Sequence, residues 1–180
     1  MTPRALQENL YVALLTAVAT VLGLIEAQIP PFFALAPGAK IGLANLVMLI
    51  AIFTLNWRKV WMMQALRLLL TGLFAGFSVF LYSVAGGILS LLAMYLVKAL
   101  GPRLVSLIGV SIAGGFFHNA GQLAVAALVA QTPTVMLYLP YLAIFGLLAG
   151  FAIGIGGNLL IRRVAPIHHL FLEKSGNWND

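Results

Sequence analysis

The sequence predicts an all-α integral membrane protein, a bundle of six transmembrane helices with both termini in the cytoplasm. Of its 180 residues, 62% are hydrophobic and only 8% are charged, whereas a soluble domain carries about 25% charged residues. The apolar residues form runs that suit a hydrocarbon core about 30 Å thick, and most Lys and Arg residues lie between the runs. We therefore expect one transmembrane domain over residues 1–163 and a short polar cytoplasmic tail over residues 164–180.

Five apolar runs follow one another, each bounded by Pro, Gly or charged residues. The third run is too long for one crossing, since its roughly 38 residues would form a helix of about 57 Å. Folding it back gives six helices. We place the reversal at residues 77–83, with Gly86-Gly87 as the alternative, and expect the second and fourth helices to be short. The five runs cover residues 10–27, 41–55, 60–97, 104–130 and 135–161.

The basic residues predict the orientation. Six crossings place both termini on one side, and eight of the ten Lys and Arg residues then lie on that side, while Lys40 lies in an opposite loop and Arg67 lies inside the third run. Cytoplasmic loops carry an excess of Lys and Arg. The formal charge of +6 is therefore explained by membrane orientation, and we expect no nucleic-acid partner.

Several classes of chemistry have no support in the sequence. There is no Cys, hence no thiolate nucleophile, disulfide or Cys metal site. No phosphate-binding GxxxxGK[ST] motif is present. The one Asp is Asp180, so paired aspartates that could hold magnesium against a diphosphate are absent. We expect a protein that is not an enzyme and that holds no cofactor or metal of its own.

Polar residues inside the runs are the candidates for function, because each is costly in a membrane. His118 and Gln122 lie four residues apart on one helix face, where they either line a ligand cavity or bond a neighbouring helix. Arg67 either meets a carboxylate or an anionic ligand, or extends to the cytoplasmic interface. Glu26 either pairs with Lys40 or contacts a substrate. The other polar residues of this kind are Asn45, Gln64, Ser111 and Asn119.

Two loops on the outer side complete the predicted site. The segment 28–40 is rich in Pro, and Pro37-Gly38 turns the chain directly before the second helix. The N-terminal amides of that helix, with Lys40 beside them, suit an anion. The loop 131–140 brings Tyr138, which either contacts a ligand or anchors the interface. Gly146, Gly150 and Gly154 lie four residues apart in the last helix, which favours close helix packing.

Three segments together resemble the Gx transporter family, also known as heptaprenyl diphosphate synthase component I. They are Pro37-Gly-Ala-Lys-Ile-Gly-Leu-Ala-Asn45, Phe117-His-Asn-Ala-Gly-Gln122, and Tyr138-Leu-Pro-Tyr-Leu142 with the Gly-rich helix after it. Members of this family look like substrate-binding (S) components of energy-coupling factor (ECF) importers. The resemblance therefore implies a multi-pass protein of a bacterial or archaeal cell membrane that takes up a small cofactor-like or isoprenoid-related molecule.

The resemblance also implies partners and contact residues. An S component docks on a transmembrane scaffold subunit that is driven by two ATPase subunits, and Ala13 and Ala17 on the first helix match the small-residue ridge used for docking. The alternative is a membrane accessory or anchor subunit of a prenyl diphosphate synthase or redox enzyme complex, whose basic cytoplasmic loops form the contact surface. The predicted substrate-binding residues are Lys40, Asn45, Arg67, His118, Asn119 and Gln122.

Overall fold

The computed structural model describes residues 3–28 and 42–164, and throughout these residues the chain is helical or in short connections. Lys40 and the segment around it, and the polar tail after residue 164, lie outside the described residues. The described helices are α1 (Pro3–Gln28), α2 (Leu43–Thr54), α3 (Trp57–Ala75), α4 (Phe77–Ala99), α5 (Leu107–Ala130), a 3₁₀ helix (Pro133–Tyr138) and α6 (Leu139–Val164).

Within the described residues, four segments are long and apolar enough to cross a membrane, which confirms a multi-pass helical membrane protein. They are Leu6–Glu26, Phe77–Ala99, Leu107–Ala130 and Pro133–Ile161. The helix α2 is apolar but has only 12 residues, and α3 carries Arg58, Lys59 and Arg67 within its 19 residues. Six crossings and cytoplasmic termini stay predictions.

The long apolar run does fold back, but the reversal lies just before the predicted window. It occurs at Gly76, where φ is +90°, a backbone angle that glycine adopts at little cost. Because the break is so early, α4 keeps 23 residues. The expectation of a short fourth helix was therefore wrong, and Gly86-Gly87, the alternative reversal, lies in the middle of α4.

Glycines allow α4, α5 and α6 to pack backbone against backbone. A Cβ placed on Gly121 of α5 would lie 2.7 Å from the carbonyl oxygen of Ala85 on α4. A Cβ on Gly150 of α6 would lie 2.7 Å from the carbonyl oxygen of Ser111 on α5, and one on Gly154 would lie 2.8 Å from Cα of Ile108. The close packing predicted from the four-residue glycine spacing is confirmed for the last helix.

The interior has an apolar end and a polar end. Buried apolar residues of all six helices form the main core, at the end of the bundle where α1 begins. They include Val12, Leu49, Met63, Met94, Val110 and Ile161. Toward the opposite end, Leu123 and Leu142 form a second, smaller apolar cluster. The buried residues among α1 to α5 become polar there, among them Glu26, Asn45, Arg67, Thr71, Ser83 and His118. In this fold, the main apolar core lies at one end of the bundle and the buried polar residues lie toward the other end.

Candidate functional site

A small cavity lies among α1 to α5, at the polar end of the bundle. The last turn of α1 and the first turn of α2 bring together groups far apart in the sequence, and α3, α4 and α5 supply one or two side chains each. Side chains from five helices thus converge on one space, because each helix places a polar residue at the same depth. The lining residues are Gly23, Glu26, Gly42, Ala44, Asn45, Arg67, Thr71, Ser83 and His118.

Glu26 and Gly42 join the end of α1 to the start of α2. The backbone N–H of Gly42 donates a hydrogen bond to Oε1 of Glu26. Gly42 has φ +82°, and its carbonyl oxygen accepts a hydrogen bond of 2.8 Å from the backbone N–H of Asn45. A buried carboxylate, 7% exposed, therefore holds the turn that begins α2 and fixes Asn45 against the cavity.

Arg67 is buried in the bundle at the cavity wall and does not extend to a surface. It is 5% exposed, and the carboxylate of Glu26 is near enough to act electrostatically on its guanidinium. Two of its nitrogens, Nε and Nη2, are buried with no hydrogen-bond partner within the described part of the chain. A guanidinium stays charged in a protein, so the wall of the cavity carries a positive charge at Arg67.

His118 lines the cavity, and Gln122 lies behind it. Nε2 of His118 and Nε2 of Gln122 are 3.1 Å apart and hydrogen bonded, as their four-residue spacing on α5 allows. Both side chains pack on Gly86 of α4, where a Cβ would lie 2.8 Å from Cγ of Gln122 and 3.1 Å from Cε1 of His118. Gln122 thus orients the imidazole, which is the group that faces the cavity.

The cavity is small. The centre of a water molecule has about 20 Å³ in which to move, and about 10–15 Å³ of such space already holds one water. The cavity therefore has room for one or two water molecules, and a cofactor-sized guest enters only if the walls move apart.

The family comparison agrees with the fold. A family model described as heptaprenyl diphosphate synthase component I matches residues 15–160. The chain belongs to this family. Its other name is the Gx transporter family, and the match confirms the family membership expected from the sequence motifs. No curated protein and no solved structure matches the chain.

The structure distributes the predicted site residues of this family member over three environments. Asn45, Arg67 and His118 line the cavity, and Gln122 contacts it through His118. Asn119 turns away, because its Nδ2 donates a 3.0 Å hydrogen bond to the carbonyl oxygen of Leu142 on α6. Lys40 lies outside the described residues, so its predicted pairing with Glu26 and its role at the second helix stay predictions.

Ala13 and Ala17 are both exposed on α1. Leu10 and Leu14, which are 69% and 60% exposed, share their face of the helix. The interior face of α1 instead carries Val12 and Ala19. The two alanines are therefore available to lipid or to another membrane protein, as the docking prediction requires.

Sequence reasoning missed Gly42, Thr71 and Ser83 of the cavity wall, and it left the role of Glu26 open between pairing with Lys40 and contacting a substrate. Thr71 and Ser83 are hydroxyl residues that occur widely in membrane helices, so nothing marks them in the sequence. Gly42 is identifiable only from its backbone geometry. Glu26 gave a signal, since an acid inside an apolar run is costly, but its partners, Gly42 and Arg67, belong to two other helices. The spacing of residues along one helix does not reveal such contacts.

Proposed function

We propose that this protein is a non-catalytic, substrate-binding subunit of an ECF-type importer in a bacterial or archaeal cell membrane. Its substrate is a small cofactor-like or isoprenoid-related molecule, and it works with a transmembrane scaffold subunit and two ATPase subunits. The family membership and the multi-pass fold support this proposal. The orientation that fits it has both termini in the cytoplasm and the cavity toward the outer side.

One observation carries the proposal: polar residues from five helices converge on a buried cavity, and its wall contains a charged guanidinium. Buried polar groups are normally satisfied within the protein, and a charge within a membrane bundle marks a ligand or ion site more often than a packing site. Two nitrogens of Arg67 have no partner among the described residues. A guest molecule that supplies acceptors would satisfy them.

The small volume of the cavity fits a closed state of a binding protein. Glu26 and Gly42 form part of the wall, and their hydrogen bond ties the end of α1 to the start of α2. This hydrogen bond is one of the contacts that would break if α1 and α2 moved apart at this end of the bundle. We therefore expect ligand entry from the end of the bundle where these two residues lie.

Copurification and uptake together test the proposal. The chain, expressed with an affinity tag in its own organism or with candidate scaffold and ATPase genes, is expected to copurify with a membrane scaffold and ATPases. Cells that carry it are expected to accumulate the ligand identified by native mass spectrometry, in an ATP-dependent manner. Isolation without these subunits, together with unchanged uptake on deletion, would refute the importer role.

The family description supports a second candidate, a membrane accessory or anchor subunit of a prenyl diphosphate synthase or redox enzyme complex. Here the basic segments around Arg58 and Arg103, whose side chains are exposed, would contact a soluble enzyme. The same copurification distinguishes the two functions, because an anchor would retain a soluble enzyme in place of a scaffold and ATPases. Charge reversal at both arginines would then release that enzyme.

A further inference from the structure

Two neighbouring side chains of α3 are buried with unused hydrogen-bonding atoms. Arg67 is 5% exposed and Gln64 is 2% exposed. Within residues 3–28 and 42–164, no protein group bonds Nε or Nη2 of Arg67, or Nε2 or Oε1 of Gln64. Unsatisfied buried groups in such a cluster require an explanation, and the two residues lie one helical turn apart.

The unused nitrogens of Arg67 form a particular pair. The N–H bonds of Nε and Nη2 run parallel along one edge of the guanidinium, and such an edge accepts two oxygens of one carboxylate or phosphate. Glu26 interacts electrostatically with Arg67, yet its Oε1 accepts the N–H of Gly42 and the parallel pair is left unbonded. This edge is therefore suited to a planar or tetrahedral oxyanion.

Gly87 on α4 places Gln64 beside this pair. A Cβ on Gly87 would overlap Nε2 of Gln64 and would lie 3.1 Å from Nη2 of Arg67. The glycine thus lets both nitrogens reach one spot against α4, where the amide adds a third donor. In this structure both nitrogens face α4, and an oxyanion reaches them when the Arg67 and Gln64 side chains turn together toward the cavity that Arg67 lines.

The charges of the cavity select among oxyanions. Among the described lining residues, Glu26 and Arg67 are the two charged groups, and their charges cancel. With these two charges, a bound carboxylate gives the site a net charge of about −1. A phosphate monoester carries about −1.5 to −2 and a diphosphate carries more, so both leave a larger net negative charge than a carboxylate does. Buried charge without compensation is costly, so a carboxylate fits best.

We infer that the substrate carries a carboxylate that is bound by the Nε and Nη2 edge of Arg67 and by Nε2 of Gln64. This inference rests on the proposed function, since it assigns a ligand class to the same cavity. Gln64, which lies behind the cavity wall, becomes a specificity-determining residue. The carboxylate enters on a molecule in water or as a lipid head group, and the recognising chemistry is the same.

Binding of three probes with one ring and different head groups tests the inference: benzoate, benzamide and phenyl phosphate. In neutral detergent at constant ionic strength, wild-type protein is expected to bind benzoate roughly tenfold or more tightly than the other two probes. Arg67→Lys keeps the charge but not the parallel donors, and Gln64→Leu removes the third donor. Both variants are expected to lose roughly tenfold in benzoate affinity.

Two further variants control for folding. Gln64→Glu places a carboxylate beside Arg67 and is expected to abolish benzoate binding while the protein keeps its thermal stability, because the new side chain occupies the donors. Arg58→Lys and Gln7→Leu alter exposed residues and are expected to bind benzoate as the wild type does. Equal or tighter binding of phenyl phosphate, wild-type affinity in Arg67→Lys, or no binding of benzoate would overturn the inference.

Native mass spectrometry and bilayer discs separate the remaining outcomes. A retained molecule that is neutral or phosphorylated overturns the carboxylate assignment and leaves the importer role standing. If no molecule is retained and none of the three probes binds, both the carboxylate assignment and the importer role are refuted. In discs, competition of benzoate by phosphatidylserine but not by phosphatidylglycerol identifies a lipid carboxylate as the source. Equal binding in both discs identifies a carboxylate in solution.

Discussion

At the scale of single residues, the charged and polar side chains of this protein have two different roles. Some complete helix ends and inter-helix contacts within the described structure, as Lys98 and Asn119 do. Others, above all Arg67, keep donors that the described protein does not use. Asn119 and Arg67 each interrupt an apolar run in the same way, so the sequence alone does not tell the two kinds apart.

Glu26 offers a residue-scale prediction, because it has two roles that substitution separates. Glu26→Gln keeps an oxygen that accepts the N–H of Gly42 but removes the charge that acts on Arg67. We expect it to bind benzoate several-fold more tightly than the wild type, since the probe no longer competes with a carboxylate for the guanidinium. Glu26→Ala loses the hydrogen bond as well and is expected to lower thermal stability. Titration calorimetry and thermal unfolding measure the two effects, and weaker benzoate binding by Glu26→Gln would contradict the competition.

Lys98 offers a second prediction, concerning stability. Its Nζ donates a 2.7 Å hydrogen bond to the carbonyl oxygen of Ile52 near the C-terminus of α2 and lies 4.4 Å from the ring centre of Phe53. Lys98→Met is expected to lower the free energy of unfolding by about 1.5–3 kcal/mol, because a charged hydrogen bond is lost and a carbonyl is left without its partner. Arg103→Met, at an exposed arginine, is the matched control for loss of a basic residue. If the free energy of unfolding fell equally in the two variants, the contacts of Lys98 would stabilise the protein no more than an exposed arginine does.

At the scale of helices, sequence spacing predicted some features and missed others for identifiable reasons. Gly146, Gly150 and Gly154 lie four residues apart on one face of α6, so their spacing predicted that a single helix packs against all three. That helix is α5. The reversal at Gly76 was located a residue too late, because a single glycine with positive φ separates two helices without any polar loop. Asn119 was placed in the binding site as a polar residue inside an apolar run, yet it lies about 100° around the helix from His118 and donates a hydrogen bond to α6.

The contact between α5 and α6 gives a prediction with a control on the same helix. Gly150→Ala places a Cβ 2.7 Å from the backbone of α5, whereas Gly156→Ala meets nothing within 4 Å. Overpacking against a backbone that cannot move aside costs about 1–3 kcal/mol, so Gly150→Ala is expected to unfold at a lower temperature than the wild type. Gly156→Ala is expected to match or exceed the wild type, since alanine loses less backbone entropy than glycine. Thermal unfolding in detergent compares them, and similar behaviour would exclude backbone contact at Gly150.

At the scale of the whole molecule, the exposed face of α1 allows a test of the proposed assembly with a scaffold subunit. Ala13→Leu is expected to reduce recovery of the scaffold subunit in copurification, because a larger side chain holds the partner helix away. Ala65 is exposed on α3, and Ala65→Leu supplies the same change elsewhere on the surface. Benzoate affinity of both variants checks that the bundle is intact. Equal recovery of the scaffold with both variants would exclude Ala13 from the docking surface.

The number of membrane crossings depends on whether α2 and α3 each cross the membrane. The contacts of these two helices with α1 favour six crossings. The 12 residues of α2 span only about 18 Å, less than the hydrocarbon core. Yet Nζ of Lys59 lies 2.7 Å from Oε2 of Glu8, and the hydroxyl of Tyr11 lies 3.3 Å from Oγ1 of Thr54. The connection between α2 and α3 therefore lies level with the first turns of α1, as six crossings require.

Labelling of single cysteines tests this topology, since the chain has no Cys of its own. Arg58 lies at the connection between α2 and α3, whereas Ser78 follows the turn between α3 and α4, and both are exposed. With six crossings and cytoplasmic termini, Ser78→Cys is expected to react with an impermeant maleimide in intact cells. Arg58→Cys is expected to react only after the cells are opened, because the connection then faces the cytoplasm.

If Arg58→Cys stayed unlabelled in opened cells, α2 and α3 would form a re-entrant hairpin that stops within the membrane. If it reacted in intact cells, the orientation itself would be reversed, and the cavity would open toward the cytoplasm, where it could not receive a substrate from outside.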